Sequence, residues 1–442
     1  MVSNAQLREL VDTVVVVMLE NRSFDHTLGF LSHELFDQRA DIDGLHQHSD
    51  VFDWDNPDAA GQLYAPTATP DSYLPRDLPH SRRQIAQELD SGAMDGFIRA
   101  YFDDQTTDRS PIPMRFCRPQ DVPVTAALAR NFTVCDRWFA SLPTDTQPNR
   151  LMAVSGQTLI DATSSVSVPF HLLPNQFTIF DYLESKGIPF NIYVDASNLP
   201  LVGVPSCLLL MKSQWRHVVH RGHSLQNLAQ DWQSAAPAPN VIYCEPFYND
   251  FATALNGHGN CNHPPLPMAF GEDFLGRVYS ALTSNPEKWK KTVLFVCYDE
   301  HGGFFDHVAP PGMKYNAPPA HQWVDTTAFM TFGVRVPGMV ISPLVERGSA
   351  FHGLLDHTSI LQLMVDRFGR PEDLARFGHA PARKANRVHS LADVITRTEP
   401  RADASLAMPQ APAITGMATT PSLSQTALMF RAVMADRPAT QV

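Results

Sequence analysis

Positive charge is scarce in this chain: 34 Lys and Arg stand against 46 Asp and Glu, giving a formal net charge of -12. Binding to a phosphate backbone depends on clustered cations, so nucleic acid is excluded as a partner. Long hydrophobic runs are also missing. No stretch approaches the roughly 18 apolar residues of a membrane-spanning helix, and the opening MVSNAQLREL lacks a basic region followed by an apolar one. The expectation is a soluble chain, cytoplasmic as it stands, or secreted or periplasmic if a leader has been removed. Cysteine is sparse. The six residues Cys117, Cys135, Cys207, Cys244, Cys261 and Cys297 form no CxxC pair, which excludes zinc-finger spacing. Cys135, Cys244 and Cys297 lie in apolar runs and read as core residues. Cys117, Cys207 and Cys261 have loop-like surroundings and are the ones that would pair in an exported protein. No internal repeat is present.

What the chain does have is alternation. Apolar strand-like runs recur at 13 to 19, 188 to 194, 240 to 244, 292 to 298 and 338 to 342. Helical periodicity falls between them at 178 to 186, 272 to 282 and 358 to 368, the last opening on Thr358 and Ser359 as caps and stopping at Gly369 before Pro371. Such alternation predicts an α/β fold, a mostly parallel sheet flanked by helices. Thirty-six prolines imply many loops, and residues 45 to 120, rich in Pro, Asp and Gln, read as a long insertion over the strand ends. Residues 1 to 400 are expected to form one catalytic domain. Residues 401 to 442, rich in Ala, Pro, Thr and Ser, read as a weakly structured tail.

Two of the apolar runs deliver polar groups at their ends. Val14 to Leu19 leads into ENRSFDH (20 to 26), and Thr292 to Cys297 into YDEHGGFFDHV (298 to 308). Ligands gather at the carboxyl ends of parallel strands, so a site there would join these two segments. Asp299 and Glu300 are adjacent carboxylates after a buried strand, and they repel unless a cation compensates. Glu20 and Asn21 could instead cap a helix starting near Ser23, with Asp25 pairing to Arg22. TQPNR (146 to 150) precedes a helical pattern and places a hydroxyl at a turn, where backbone N–H groups and a metal ion could activate it. Ser141 and Thr144 are rival hydroxyls in the same loop, SLPTDTQPNR. His80, the segment MDGF (94 to 97) and CNHPP (261 to 265) complete the set, while His217, His220 and His223 read as surface or packing residues.

Taken in order, ENRSFDH, MDGF, TQPNR, HPP, YDEHGGFFDHV and LDHTS (355 to 359) resemble the phosphoesterase family of bacterial phosphatidylcholine-type phospholipases C and related acid phosphatases, which includes the plant non-specific phospholipases C. The resemblance covers roughly residues 11 to 370. It implies an alkaline-phosphatase-like fold and one divalent metal ion held by Glu20, Asn21, Thr146, Asp299 and Glu300, with Thr146 also the nucleophile. His80 and His263 would bind phosphoryl oxygens or protonate the leaving group. Asn149, Arg150 and His301 could support the ligands; Asp306 and His307 could do so or make a structural hydrogen bond, and His357 reads first as a structural residue beside the helix start, with ligand support as the alternative. Oxygen-rich ligands suit Ca²⁺, Mg²⁺ or Mn²⁺, and the neighbouring histidines leave room for Zn²⁺.

The implied activity is that of a phospholipase C cleaving a glycerophospholipid such as phosphatidylcholine to diacylglycerol and a phosphorylated head group. The alternatives are an acid phosphatase using the same centre and a catalytically silent scaffold. The expected partners are a phospholipid or small phosphate ester and at most a transient membrane-surface contact, with no obligate protein partner. The larger haemolytic relatives carry extra C-terminal domains for which 442 residues leave no room. A choline head group would call for an aromatic or acidic cage, and Trp54, Tyr73, Trp138 and Tyr248 lie in segments that could approach the site.

Overall fold

The computed structural model describes residues 2–46, 54–104, 107, 109–163, 175–195, 217, 220–248 and 259–413. An eight-stranded sheet forms its centre. From one edge to the other the strands are Ala350–Phe351, Thr133–Cys135, Gly338–Ile341, Thr292–Tyr298, Thr13–Leu19, Val241–Glu245, Phe190–Val194 and Gly222–Ser224. All run parallel except Gly338–Ile341, which pairs antiparallel with both neighbours. The α/β expectation therefore holds, with one reversed strand that its apolar composition did not reveal.

Every residue of the Thr13–Leu19 and Thr292–Tyr298 strands is buried. Continuous rather than alternating apolar runs are what a strand needs when helices cover both faces of a parallel sheet. Their register is direct, from Thr13 opposite Thr292 to Leu19 opposite Tyr298. The strands end together, so Glu20 and Asp299 emerge side by side.

The helix expectations are met, with shifted ends at Ile179–Ser185 and Ala269–Thr283 and the expected bounds at Thr358–Phe368. At the last, Thr358 and Ser359 are inside the helix, the N-cap position falls to His357, and Asp356 just before it accepts the Thr358 N–H at 3.0 Å. The 45 to 120 segment is more than a loop. It contains the helices Arg82–Leu89 and Phe97–Asp104 and short strand pairs. Beyond Arg401 the chain docks its Ala404 carbonyl against Tyr279 Oη (2.8 Å) and Trp289 Nε1 (3.1 Å); residues 414 to 442 lie outside the described residues. Cys117 and Cys261, expected in loops, are buried, and no disulfide joins the five described cysteines. Cys207 is outside the described residues.

One buried carboxyl makes the fold pH-sensitive. Glu272 accepts from the N–H groups of Val124 (2.5 Å) and Thr125 (3.1 Å) at the start of the helix Pro123–Asn131. Burial raises its pKa to about 7 from 4.5, outweighing those hydrogen bonds. A raised folded pKa means that its stabilisation is full below 4.5 and is lost as pH rises through about 7. Glu272→Gln keeps the acceptor and cannot ionise. Relative to that variant, the wild type should lose about 3 kcal/mol between pH 4 and pH 8 in urea unfolding, and a constant difference would contradict this.

Candidate active site

Where the two central strands end, the chain turns sharply. Asn21 adopts φ 59°, a left-handed conformation that a non-glycine residue holds only when its surroundings compel it. The compulsion comes from Asp299, whose Oδ1 accepts the Asn21 N–H at 3.1 Å and the Glu300 N–H at 2.8 Å. The glycines of HGG allow the neighbouring segments to close in. A Cβ on Gly302 (φ 63°) would lie 2.2 Å from the Asn21 carbonyl oxygen, and one on Gly303 (φ 76°) 2.6 Å from that of Pro79.

Pro79 precedes His80, and the close approach brings that imidazole to the centre. Its Nδ1 is bound to the Leu78 carbonyl (2.7 Å), leaving Nε2 facing Asn21 Nδ2 (3.3 Å) and Glu300 Oε1 (3.7 Å). Burial works against its charge, but Glu300 and Asp77 outweigh burial and raise its pKa to about 10. His263 binds the Pro264 carbonyl through Nδ1 and turns Nε2 to within 3.7 Å of Asp77 Oδ2. Ligand-type atoms of Asp77, His80 and His263 all lie within 4.8 Å of one another.

Thr146 is the first residue of the helix Thr146–Ser155. Asn149 anchors the preceding loop, accepting from the Leu142 N–H (2.9 Å) and donating to the Leu142, Thr144 and Asp145 carbonyls. Thr163 Oγ1 accepts the Gln147 N–H at 3.0 Å, and Asp145 Oδ1 accepts the Thr163 N–H at 2.6 Å. The three candidate hydroxyls are now distinguishable. Ser141 donates to Asp356 Oδ2 (2.9 Å) and Thr144 to the Asp161 carbonyl (2.8 Å), whereas the buried Thr146 Oγ1 has no hydrogen-bond partner among the described residues.

One turn along the same helix, Arg150 binds the strand ends. Its Nε lies 3.0 Å from Asp299 Oδ2, and its Nη2 lies 3.5 Å from Glu20 Oε1 and 3.2 Å from the Leu19 carbonyl. Nη1 donates to Tyr248 Oη (2.9 Å), which donates to Glu245 Oε2 (2.8 Å) at the end of the neighbouring strand. Burial raises the pKa of Asp299, opposed by Arg150. For Glu300 the imidazoles of His80 and His301 outweigh burial and lower it.

Asn21 Oδ1 and Glu300 Oε1 are among the buried oxygens that share the condition of Thr146 Oγ1, with no hydrogen bond among the described residues. Leaving a buried polar atom unsatisfied costs about 1–3 kcal/mol, and Asp145, next to Thr146, interacts electrostatically with both His80 and Glu300. Three oxygens, one anionic, fit a hard divalent cation. Glu20, fully buried and held by Arg150, stands at the same strand end. Asp299 differs from the others, because its carboxylate already accepts three N–H groups.

Residues 11–371 match the phosphoesterase family. The chain belongs to that family. It is similar to non-specific phospholipase C1 of Arabidopsis thaliana (34% identity over 77% of this chain and 62% of the relative) and to non-specific phospholipase C3 of the same plant (28%, over 91% and 76%). It is also similar to phospholipase C A of Mycobacterium tuberculosis strain H37Rv (29%, over 82% and 73%). The chain thus spans less than two thirds of the first of these. A solved protein of the alkaline phosphatase superfamily from Vibrio parahaemolyticus overlays 72% of each chain at 12% identity and a TM-score of 0.31, too remote to argue from. The phosphoesterase is accordingly a phosphoric ester hydrolase.

Not every motif residue of this phosphoesterase reaches the centre. Asp306 and His307, candidates for supporting the ligands, turn to a separate network. His307 Nδ1 lies 2.6 Å from Asp25 Oδ2 and its Nε2 3.1 Å from Asp43 Oδ1, while Asp25 and Asp306 both pair with Arg335 at 3.0 and 3.1 Å. Asp25 therefore pairs with Arg335 and not with Arg22, which lies instead 3.1 Å from His26 Nε2. The helix start falls to Ser23, whose hydroxyl accepts the His26 N–H, so neither Glu20 nor Asn21 caps it. His357, by contrast, reaches the site, its Nε2 donating to the Asp299 carbonyl (2.7 Å) while Nδ1 accepts from Trp138 (3.2 Å). Burial lowers its pKa to about 4, so it is neutral.

The proposed aromatic cage does not assemble. Trp54 packs on His307, Tyr73 on Phe270, Trp138 is buried under His357, and Tyr248 is covered by Arg150. Four site residues escaped the sequence reading: Asp77, Glu88, Asp145 and Glu245. Asp145 was detectable, since an aspartate directly before a helix is a capping signal. Burial raises its pKa to about 6.

Proposed function

We propose that the protein is a divalent-cation-dependent phospholipase C that hydrolyses a glycerophospholipid such as phosphatidylcholine to diacylglycerol and a phosphorylated head group. The names of its relatives support the reaction class. The observation that carries the mechanism is the set of buried, unsatisfied oxygens at Asn21, Thr146 and Glu300.

The cation, when bound, supplies charge neutralisation for the phosphoryl oxygens and lowers the pKa of an adjacent hydroxyl. Glu20, Asn21, Thr146 and Glu300 would hold it, with Asp299 oriented beside them. Thr146 Oγ, whose proton passes to solvent water and is restored from it when the threonine is released, attacks phosphorus, and the bond to the diacylglycerol oxygen breaks. His80, or His263 beside it, gives that oxygen its proton. Water then displaces the phosphorylated head group from Thr146, and the same imidazole takes up the proton released. Asn149 and Thr163 keep the threonine in place, and Arg150 ties its helix to both carboxylate-bearing strand ends. Any contact with a membrane is transient and at its surface.

The alternative, a phosphomonoesterase using the same centre, draws support from the failure of the four aromatic residues to form a head-group cage. A matched assay separates the two: phosphocholine and diacylglycerol release from micellar phosphatidylcholine beside phosphate release from a simple monoester. Equal release of the two lipid products, faster than monoester turnover, is the expected result. Faster monoester turnover would overturn the lipid reading and retain the centre.

A further inference from the structure

We propose that Glu88 is a positioning residue that acts through His301 on the Glu300 carboxylate, and that the MDGF segment holds it there. This rests on the cation reading given above.

Glu88 is fully buried on the helix Arg82–Leu89, and its Oε2 lies 2.8 Å from His301 Nε2. The other ring nitrogen of His301 lies 3.3 Å from Glu300 Oε2, which also accepts the Gly302 N–H at 2.7 Å. The Gly302 N–H and the His301 ring therefore both face one oxygen of Glu300. The other, Oε1, is left without a hydrogen bond and points to the His80 side of the site, 3.7 Å from its Nε2. A carboxylate held in this asymmetric way has one oxygen committed to the protein and one reserved for a guest. The line Glu88, His301, Glu300 is the carboxylate–imidazole support that orients a ligand and sets its basicity.

MDGF supplies none of the proposed cation-holding residues, and its geometry explains its presence. Gly96 N–H donates to the Glu88 carbonyl at 3.2 Å, and a Cβ on Gly96 would lie 1.8 Å from the Gln87 carbonyl oxygen and 3.1 Å from Glu88 Cα. Only glycine permits that approach. Phe97 sets its ring edge-on to His301, with centroids 6.0 Å apart, while Asn56 secures the segment by bonding both the Phe97 N–H and the Met94 carbonyl. Backbone and imidazole are thus clamped from the same four residues. A carboxylate kept in an apolar interior at such desolvation cost, facing an imidazole that faces a second carboxylate, is poor design for mere packing.

The test is Mn²⁺ binding to the chelator-treated full chain, followed by calorimetry, for wild type, Glu88→Gln, His301→Gln and the double variant. Melting in chelator establishes folding. The expected result is a Kd raised about 10–100-fold in Glu88→Gln, a comparable rise in His301→Gln, and no further rise in the double variant. Wild-type affinity in folded Glu88→Gln, or effects that multiply in the double variant, would overturn the proposal. Should Glu88→Gln fail to fold, His301→Gln decides alone, and unchanged affinity there overturns it. A wild-type chain that takes up no Mn²⁺ would overturn the cation reading and this inference together, an outcome distinct from the others.

Discussion

Thr146→Ala should lower turnover by about four orders of magnitude and leave the protein as stable as the wild type. The two halves of this expectation have the same origin. Thr146 Oγ1 makes no hydrogen bond among the described residues, so its removal breaks nothing in the fold. It is nevertheless the hydroxyl at the start of a helix whose next turn carries Arg150, bound to Glu20 and Asp299. Thr144→Ala should show the reverse. Its hydroxyl donates to the Asp161 carbonyl, and losing it should cost about 1 kcal/mol of stability while turnover persists. Steady-state kinetics and urea unfolding of the two variants give the comparison. Wild-type turnover in Thr146→Ala together with loss in Thr144→Ala would assign the nucleophile to Thr144.

The largest stability effect should come from Arg335→Ala. Arg335 has no solvent exposure and binds Asp25 and Asp306 as well as the carbonyls of Asp43 (2.6 Å) and Asp136 (2.9 Å), with its guanidinium 4.2 Å over the Phe24 ring. Asp306 already has its pKa raised to about 6 by burial, with Arg335 holding it down. Removing the cation leaves Asp306 without its paired charge and Asp25 with His307 alone, a change worth about 3–5 kcal/mol. The variant should unfold at markedly lower urea, and stability within 1 kcal/mol of the wild type would contradict the role given to this network.

That network also shows where sequence reading stops. Glu20, Asn21, Asp299 and Glu300 could be placed because two uninterrupted apolar runs announce buried parallel strands, and strands in register end at the same level. Asp306 and His307 stand in the same motif only a few residues on. Arg335, the partner of Asp306, belongs to a loop whose position is set by tertiary packing, and His307 turns to the distant Asp25 and Asp43, so nothing local revealed that they turn away from the centre. Glu88 is the opposite case, reaching the site from inside a segment read as an insertion loop. Its helix carries no long apolar stripe to announce it. Strands of two or three residues, such as Thr133–Cys135 and Ala350–Phe351, are too short to leave a pattern of period two. The shift of the N-cap position from Thr358 to His357 falls within the usual uncertainty of helix ends. Aromatic residues were the least legible: Trp54, Tyr73, Trp138 and Tyr248 were grouped for their chemistry, and packing sends them to four different places.

The central claim is that the buried oxygens of Asn21, Thr146 and Glu300 hold a divalent cation on which phosphoester hydrolysis depends. Its most direct test is to strip the purified chain with chelator, confirm the loss of metal by elemental analysis, and follow phosphatidylcholine hydrolysis as a divalent ion is added back. Activity should vanish on stripping and return in step with one bound equivalent. Full turnover by protein that contains no metal would contradict the account.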